Sequence, residues 1–120
     1  MLNAEEKTQA VVAALEDIKA TDILVIDTAK LSPLFERMVI ASAQSTRQTK
    51  ALAQHVAEKL RDLGETPRSV EGSDSGEWVL VDLGEVIVHV MQPAVRAYYN
   101  LEELWGAQHL PPRIMARAAK

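Results

Sequence analysis

The stretch Glu77-Trp78-Val79-Leu80-Val81-Asp82-Leu83-Gly84-Glu85-Val86-Ile87-Val88-His89-Val90-Met91 decides the fold of this chain. Two runs of apolar and β-branched residues meet at a glycine. That pattern predicts strands over 77–83 and 86–91 joined by a tight hairpin turn. Side chains alternate across a strand, so each run sorts into two faces. One face carries Val79, Val81 and Leu83, then Val86, Val88 and Val90. Small branched side chains of this kind suit packing beneath a helix. The other face carries Trp78, Leu80 and Asp82, then Ile87, His89 and Met91. The expected register sets Trp78 opposite His89 and Leu80 opposite Ile87. A bulge at Gly84 is the alternative, and it moves these pairs by one residue.

Working upstream, Gly72-Ser73-Asp74-Ser75-Gly76 reads as a loop, and Arg68-Ser69-Val70-Glu71 as a short polar strand near a sheet edge. Ser45-Thr46-Arg47-Gln48 is a Ser-x-x-Gln capping box. It opens a long amphipathic helix with Leu52, Val56, Leu60 and Leu63 inward and Gly64 as its stop. Arg37–Ser42 and Asp22–Thr28 are apolar, β-branched runs, expected as buried strands on either side of a Ser32-Pro33 loop. Asn3 and Glu6 form a second capping box, ahead of a helix over 4–19 with Val11, Leu15 and Ile18 on one face. Downstream, Pro93 opens a helical region through Tyr98, with a further turn over 100–105.

The order is therefore helix, strand, strand, helix, three strands, helix. It predicts a single α/β domain: a mixed five-stranded sheet flanked by helices, with a right-handed strand–helix–strand unit in the middle. Residues 1–110 are expected to form this domain, and 111–120, beyond the start of Pro111-Pro112, a basic flexible tail.

The chain has 120 residues, 13 Lys+Arg, 17 Asp+Glu and no cysteine. The length suits one core. Without cysteine there are no disulfides, no thiol catalysis and no Cys-based zinc site. The net charge is −4, and it is unevenly spread. The tail carries Arg113, Arg117 and Lys120 with no acid, so the other 10 basic and all 17 acidic residues leave the body at −7. A protein that binds mainly through phosphate contacts needs the opposite sign. The start of the chain lacks the basic and apolar regions of a signal peptide and is too acidic for a transit peptide. No apolar run reaches the roughly 20 residues of a membrane span. The expectation is a cytoplasmic protein with no membrane contact and no nucleic-acid specificity of its own.

Chemistry-bearing motifs are sparse. His55, His89 and His109 share no metal-ligand spacing. There is no G-x-S-x-G and no glycine-rich phosphate loop. Asp22 and Asp27 fall on opposite faces of a regular strand, a poor pair for two-metal chemistry. Asp82 and His89 have the residue types of an acid–base dyad but no nucleophile beside them. The helix start at Ser45-Thr46-Arg47 has free N–H groups suited to an anion, which ordinary capping also explains. No catalytic residue, metal or cofactor is expected.

The second hairpin face has two readings. A helix covers it, with Asp82 and His89 satisfied at its margin; or it is partly open and its apolar groups meet a partner. Three main helices for five strands favour an open area. Tyr98, Tyr99 and Trp105 lie close by in sequence and add aromatic surface.

Met38-Val39-Ile40-Ala41-Ser42 with Ser45-Thr46-Arg47-Gln48, the block Val70-Glu71-Gly72 with Gly76 to Met91, and the closing Arg96, Tyr99, Leu101-Glu102 and Leu104-Trp105 together resemble the ribosomal silencing factor (Iojap) family. The likeness runs from Val11 to Trp105. Ala43-Gln44 replaces the family's usual Gly-Thr before the capping serine, and Glu36-Arg37-Met38 departs from its usual pattern. The resemblance implies a nucleotidyltransferase-like fold without the catalytic residues. It implies binding to the large ribosomal subunit through ribosomal protein L-fourteen, a steric block to joining of the small subunit, and lower translation when nutrients are scarce. It also implies a homodimer when free. The residues expected to meet the partner are Trp78, Leu80, Asp82, His89 and Met91 on the hairpin, with Tyr98 and Tyr99 after it. The alternative is a nucleotidyltransferase-like enzyme acting on a nucleotide.

Overall fold

The computed structural model describes residues 2–104 and 109–110. Helix α1 (Ala4–Asp17) starts at a complete capping box, in which Asn3 Oδ1 accepts the Glu6 N–H at 2.8 Å and Glu6 Oε1 accepts the Asn3 N–H at 3.0 Å. It stops two residues short of the expected end. Lys19 takes a left-handed φ of 62°, and the Ala20 N–H returns to the Leu15 carbonyl at 3.0 Å. This is a Schellman closure made by lysine where glycine is usual.

Two strands follow, β1 (Thr21–Asp27) and β2 (Arg37–Ser42), paired antiparallel. Helix α2 (Thr46–Asp62) is amphipathic as expected, with Leu52, Val56 and Leu60 fully buried. Leu63 departs from the expected inward stripe. The helix ends at Asp62, Leu63 becomes its C-cap, and the side chain is 47% exposed. Gly64 then supplies the left-handed turn, φ 88°. The capping box at the front of α2 is only half formed. Ser45 Oγ accepts the Gln48 N–H, but Gln48 Oε1 accepts the N–H of Gln44 rather than that of Ser45. Its Nε2 donates to the Ile18 and Lys19 carbonyls, so the glutamine bridges two helix ends.

Strands β3 (Ser69–Glu71), β4 (Trp78–Asp82) and β5 (Val86–Met91) complete the principal sheet, and helices α3 (Pro93–Tyr99) and α4 (Leu101–Leu104) follow. A two-residue strand, β6 (His109–Leu110), adds to β1 beyond the expected five. Two residues carry no readable period. The order is β3-β4-β5-β2-β1-β6, with β2 and β5 parallel and the other pairs antiparallel. Trp105 and the expected tail 111–120 lie outside the described residues.

The hairpin register differs from the expected one. Trp78 faces Met91, Leu80 faces His89, and Asp82 faces Ile87. The turn holds two residues, Gly84 and Glu85, closed by the Leu83 N–H on the Val86 carbonyl at 2.9 Å. That closure sets residue 83 against 86 and fixes every later pair. Asp82 Oδ1 accepts the Gly84 N–H at 2.8 Å and secures the turn. The shift from the expected pairs is two residues, so both faces keep their members.

Helices α1 and α2 cover one face of the sheet. Val11, Leu15, Leu52 and Val56 meet Val39, Val79, Val81, Val88 and Val90 there. The opposite face has a smaller cluster of Ile26, Met38, Ile40 and Met91, bordered by Phe35, Trp78 and Val95. Across β4 and β5 this face stays partly open, and Leu80 and Ile87 are only half-buried.

A buried lysine ties the helix-covered side together. Lys7 Nζ pairs with Glu65 at 3.3 Å and with Glu85, and donates to the Leu83 carbonyl at 3.3 Å. Glu65 Oε2 also accepts the Leu2 N–H at 2.9 Å. Burial pulls the lysine pKa down, but hydrogen bonds to Glu85 and Glu65 outweigh it and hold the ammonium above its usual value. The Leu2 N–H lowers Glu65, and Lys7 lowers Glu85. We expect Lys7→Met to lower unfolding free energy by about 1–3 kcal/mol, because two carboxylates lose their shared cation. The urea midpoint reads this loss. Carboxylates held low stabilise above their ordinary pKa and release that stability as pH falls. The gap between variant and wild type should therefore close in acid; a gap that is absent at pH 7 would reject the role given to Lys7.

Candidate partner-binding site

Trp78 opens β4, and several contacts fix it there. The preceding loop turns at Gly72, φ 89°, where a Cβ would lie 2.1 Å from the Trp78 carbonyl oxygen. Only glycine allows that approach. The Gln92 N–H donates to the Glu77 carbonyl at 3.0 Å. Gln92 Nε2 donates to Thr46 Oγ1 and to the Gly76 carbonyl, both at 3.1 Å, joining loop, hairpin and α2.

The indole is half-buried, and its Nε1–H donates to His89 Nδ1 at 2.9 Å. His89 is a diagonal neighbour across the hairpin, buried on β5. Burial pushes its pKa down to about 4, so the ring is neutral near pH 7. An Nδ1 that accepts a hydrogen bond places the ring proton on Nε2. The aromatic chain continues outward. Trp78 and Tyr99 lie 4.8 Å apart between centroids, and Tyr99 meets Tyr98 edge-on at 5.0 Å. Tyr98 is 82% exposed and Tyr99 55%.

Both tyrosines come from α3, whose position is locked at two points. Pro93 is pre-organised for its first turn. Arg96 Nη1 donates to the Asp22 carbonyl at 2.6 Å and to Ser42 Oγ at 2.8 Å. Asn100 then ends the helix with a left-handed φ of 48°. Between α3 and the start of β4 lies an open groove of about 420 Å³, walled by Trp78, Val95, Tyr98, Tyr99 and Glu77. A second depression of about 230 Å³ lies on the other side of Trp78, over Leu80 and Glu71.

The seven residues singled out from sequence thus take different places. Trp78, Tyr98 and Tyr99 converge on one groove. Leu80 lines the neighbouring depression. His89 and Met91 are buried beneath them, as support rather than surface. Asp82 stands at the far end of β4, about 13 Å along the strand from Trp78, and holds the hairpin turn. Glu77, Val95 and Gln92 were not singled out by sequence. Glu77 flanks the half-buried tryptophan, and Gln92 precedes a helix-opening proline, which are the signals these two carry.

Elsewhere, His55 Nε2 lies 3.0 Å from Asp17 Oδ2 and ties α2 to α1. Among the described residues no group of three or more His, Asp or Glu is suited to hold a metal ion. No described helix is long and apolar enough to cross a membrane.

A family model described as "Ribosomal silencing factor during starvation" matches residues 1–119. The chain belongs to the ribosomal silencing factor family. A ribosomal silencing factor from Chromobacterium violaceum is 50% identical over 119 residues, covering 99% of this chain and 96% of that protein. The Bacillus subtilis ribosomal silencing factor is 37% identical over 105 residues, covering 88% and 89%. A crystal structure of a Chromobacterium violaceum protein superposes with a TM-score of 0.87 at 52% identity, covering 92% of this chain and 91% of that one. The α/β sheet is thus the family's fold.

The buried imidazole of this silencing-factor domain has a pH signature. In the unfolded chain a histidine titrates near 6.5, and in the fold His89 does so at about 4. Between these values the unfolded state binds the extra proton. The stability gained from a neutral His89 is therefore complete above pH 6.5 and drains as pH falls to 4, by about 3 kcal/mol across the window. His89→Gln keeps an acceptor for the indole and removes the titration. Its urea midpoint should fall less steeply over this range than that of the wild type, and parallel slopes would reject a buried neutral ring.

Proposed function

We propose that this protein represses translation by occupying the large ribosomal subunit. It binds through ribosomal protein L-fourteen, sterically blocks joining of the small subunit, and does so when nutrients are scarce. It works in the cytoplasm without catalysis, and it forms a homodimer when free. The family assignment supports the ribosomal setting. The observation that carries the choice of surface is the exposed aromatic groove at Trp78 on an acidic body. Interface centres are rich in Trp and Tyr that are held rigid before binding. A net-acidic domain approaches the basic side chains of a ribosomal protein and is repelled by bare RNA.

In this reading Trp78, Tyr98, Tyr99 and Leu80 touch the partner. His89 and Met91 hold the tryptophan in place, and Asp82 fixes the hairpin that presents it. The enzyme reading lacks any observation in its favour. Asp27 lies 3.4 Å from Arg37, so its carboxylate is engaged by a guanidinium rather than paired with a second acid.

Truncating a tryptophan at an interface centre costs ~2 kcal/mol or more of binding. Trp78→Ala should therefore abolish co-sedimentation with purified large subunits, while circular dichroism and a cooperative melt report a folded chain. Deleting residues 111–120 should leave co-sedimentation intact. Undiminished co-sedimentation of a folded Trp78→Ala chain would remove this surface from the interface.

A further inference from the structure

The groove beside Trp78 has a charged wall that apolar docking does not require. Trp78, Tyr98 and Tyr99 border one space, and Glu77 stands on its rim. The faces of aromatic rings carry negative potential and attract cations, Trp and Tyr among the strongest. Glu77 adds a full negative charge, is exposed, and enters no ion pair among the described residues. Arg96, the base on the same helix as the tyrosines, donates to the Asp22 carbonyl and Ser42, and Lys50 of α2 packs at Gly76 without lining the groove. Glu71 borders the adjoining depression and extends the same sign of charge. Nucleobases also stack on such rings, but sites that bind single strands pair the stacking with a positive groove. Here the charge is of the opposite sign.

We propose that this groove receives an arginine side chain of a basic protein partner, its guanidinium stacked on the tyrosine rings and paired with Glu77. Arginine fits better than lysine. Its plane is weakly hydrated, lies flat on an aromatic face, and presents a fork of donors to a carboxylate. The inference rests on reading this face as the ribosome-binding surface, and it names the chemistry that surface recognises.

The test measures affinity of the full chain for purified large ribosomal subunits, with thermal melts run alongside. Glu77→Gln keeps shape and removes charge, and should weaken binding roughly tenfold. Tyr98→Leu keeps apolar bulk and removes the ring. It should weaken binding comparably, while Tyr98→Phe restores it. Both positions are exposed, so the melts should not move. Wild-type affinity in Glu77→Gln and Tyr98→Leu would overturn the arginine. Tighter binding by Glu77→Gln would also overturn it and point to phosphate. Trp78→Ala separates the two levels. Loss of binding there with unchanged Glu77→Gln removes only the arginine, whereas full binding by a folded Trp78→Ala chain removes the surface itself.

Discussion

The parity of one hairpin governs which side chains this molecule can show. In β4 and β5 the small valines must face α1 and α2, and the large residues must face away. A slip of one residue would drive Trp78 into the helix-covered core and put Val79 into solvent. The two-residue turn at Gly84-Glu85 prevents that slip. Gly84 adopts φ 89°, and Asp82 clamps its N–H. Lys7 reaches the same corner from α1, bonding the Leu83 carbonyl and Glu85. The turn is thus held from both sides of the sheet, although the groove it indexes lies at the other end of the strands.

With parity fixed, the two faces diverge in purpose. Two helices bury one face almost completely. Among the described residues the other receives the short α3, Leu101 at the start of α4 and the loop bearing Phe35, and its cluster is small. A short helix cannot hold itself in place by its own hydrogen bonds. Here Arg96 ties it to β1 and β2, and Gln92 ties its entry to the loop and α2. These polar anchors let α3 present its tyrosines outward rather than spend them on packing.

Much of this was legible in sequence because its signals are periodic. Alternation in Trp78–Asp82 and Val86–Met91 gave the correct faces, and the spacing of Leu52, Val56 and Leu60 gave the α2 stripe. What sequence misjudged depends on single geometric events. The cross-strand pairs expected from sequence fall two residues from those observed, because pairing depends on where the turn closes. Spacing alone puts Leu63 inward, because periodicity does not announce that the helix ends at Asp62. Lys19 gave no warning that it would take a conformation usual for glycine. For the site, residue type pointed to Trp78, Tyr98 and Tyr99. It did not reveal that His89 and Met91 lie underneath them, since burial on a half-covered face depends on where α3 is tethered.

The buried histidine shapes what the tryptophan has left to offer. An exposed tryptophan usually brings both a ring face and an N–H donor to an interface. In this structure the N–H is already engaged by His89 Nδ1, and the neutral ring that accepts it is maintained by burial. What remains is the π surface, flanked by two more rings and a carboxylate. A partner that needed a hydrogen-bond donor from Trp78 would have to break an internal bond to obtain it, leaving a buried nitrogen unsatisfied. A partner that offers positive charge and flat area meets no such cost. In the proposed interface the internal hydrogen bond thus acts as a filter on recognition, without itself touching the partner.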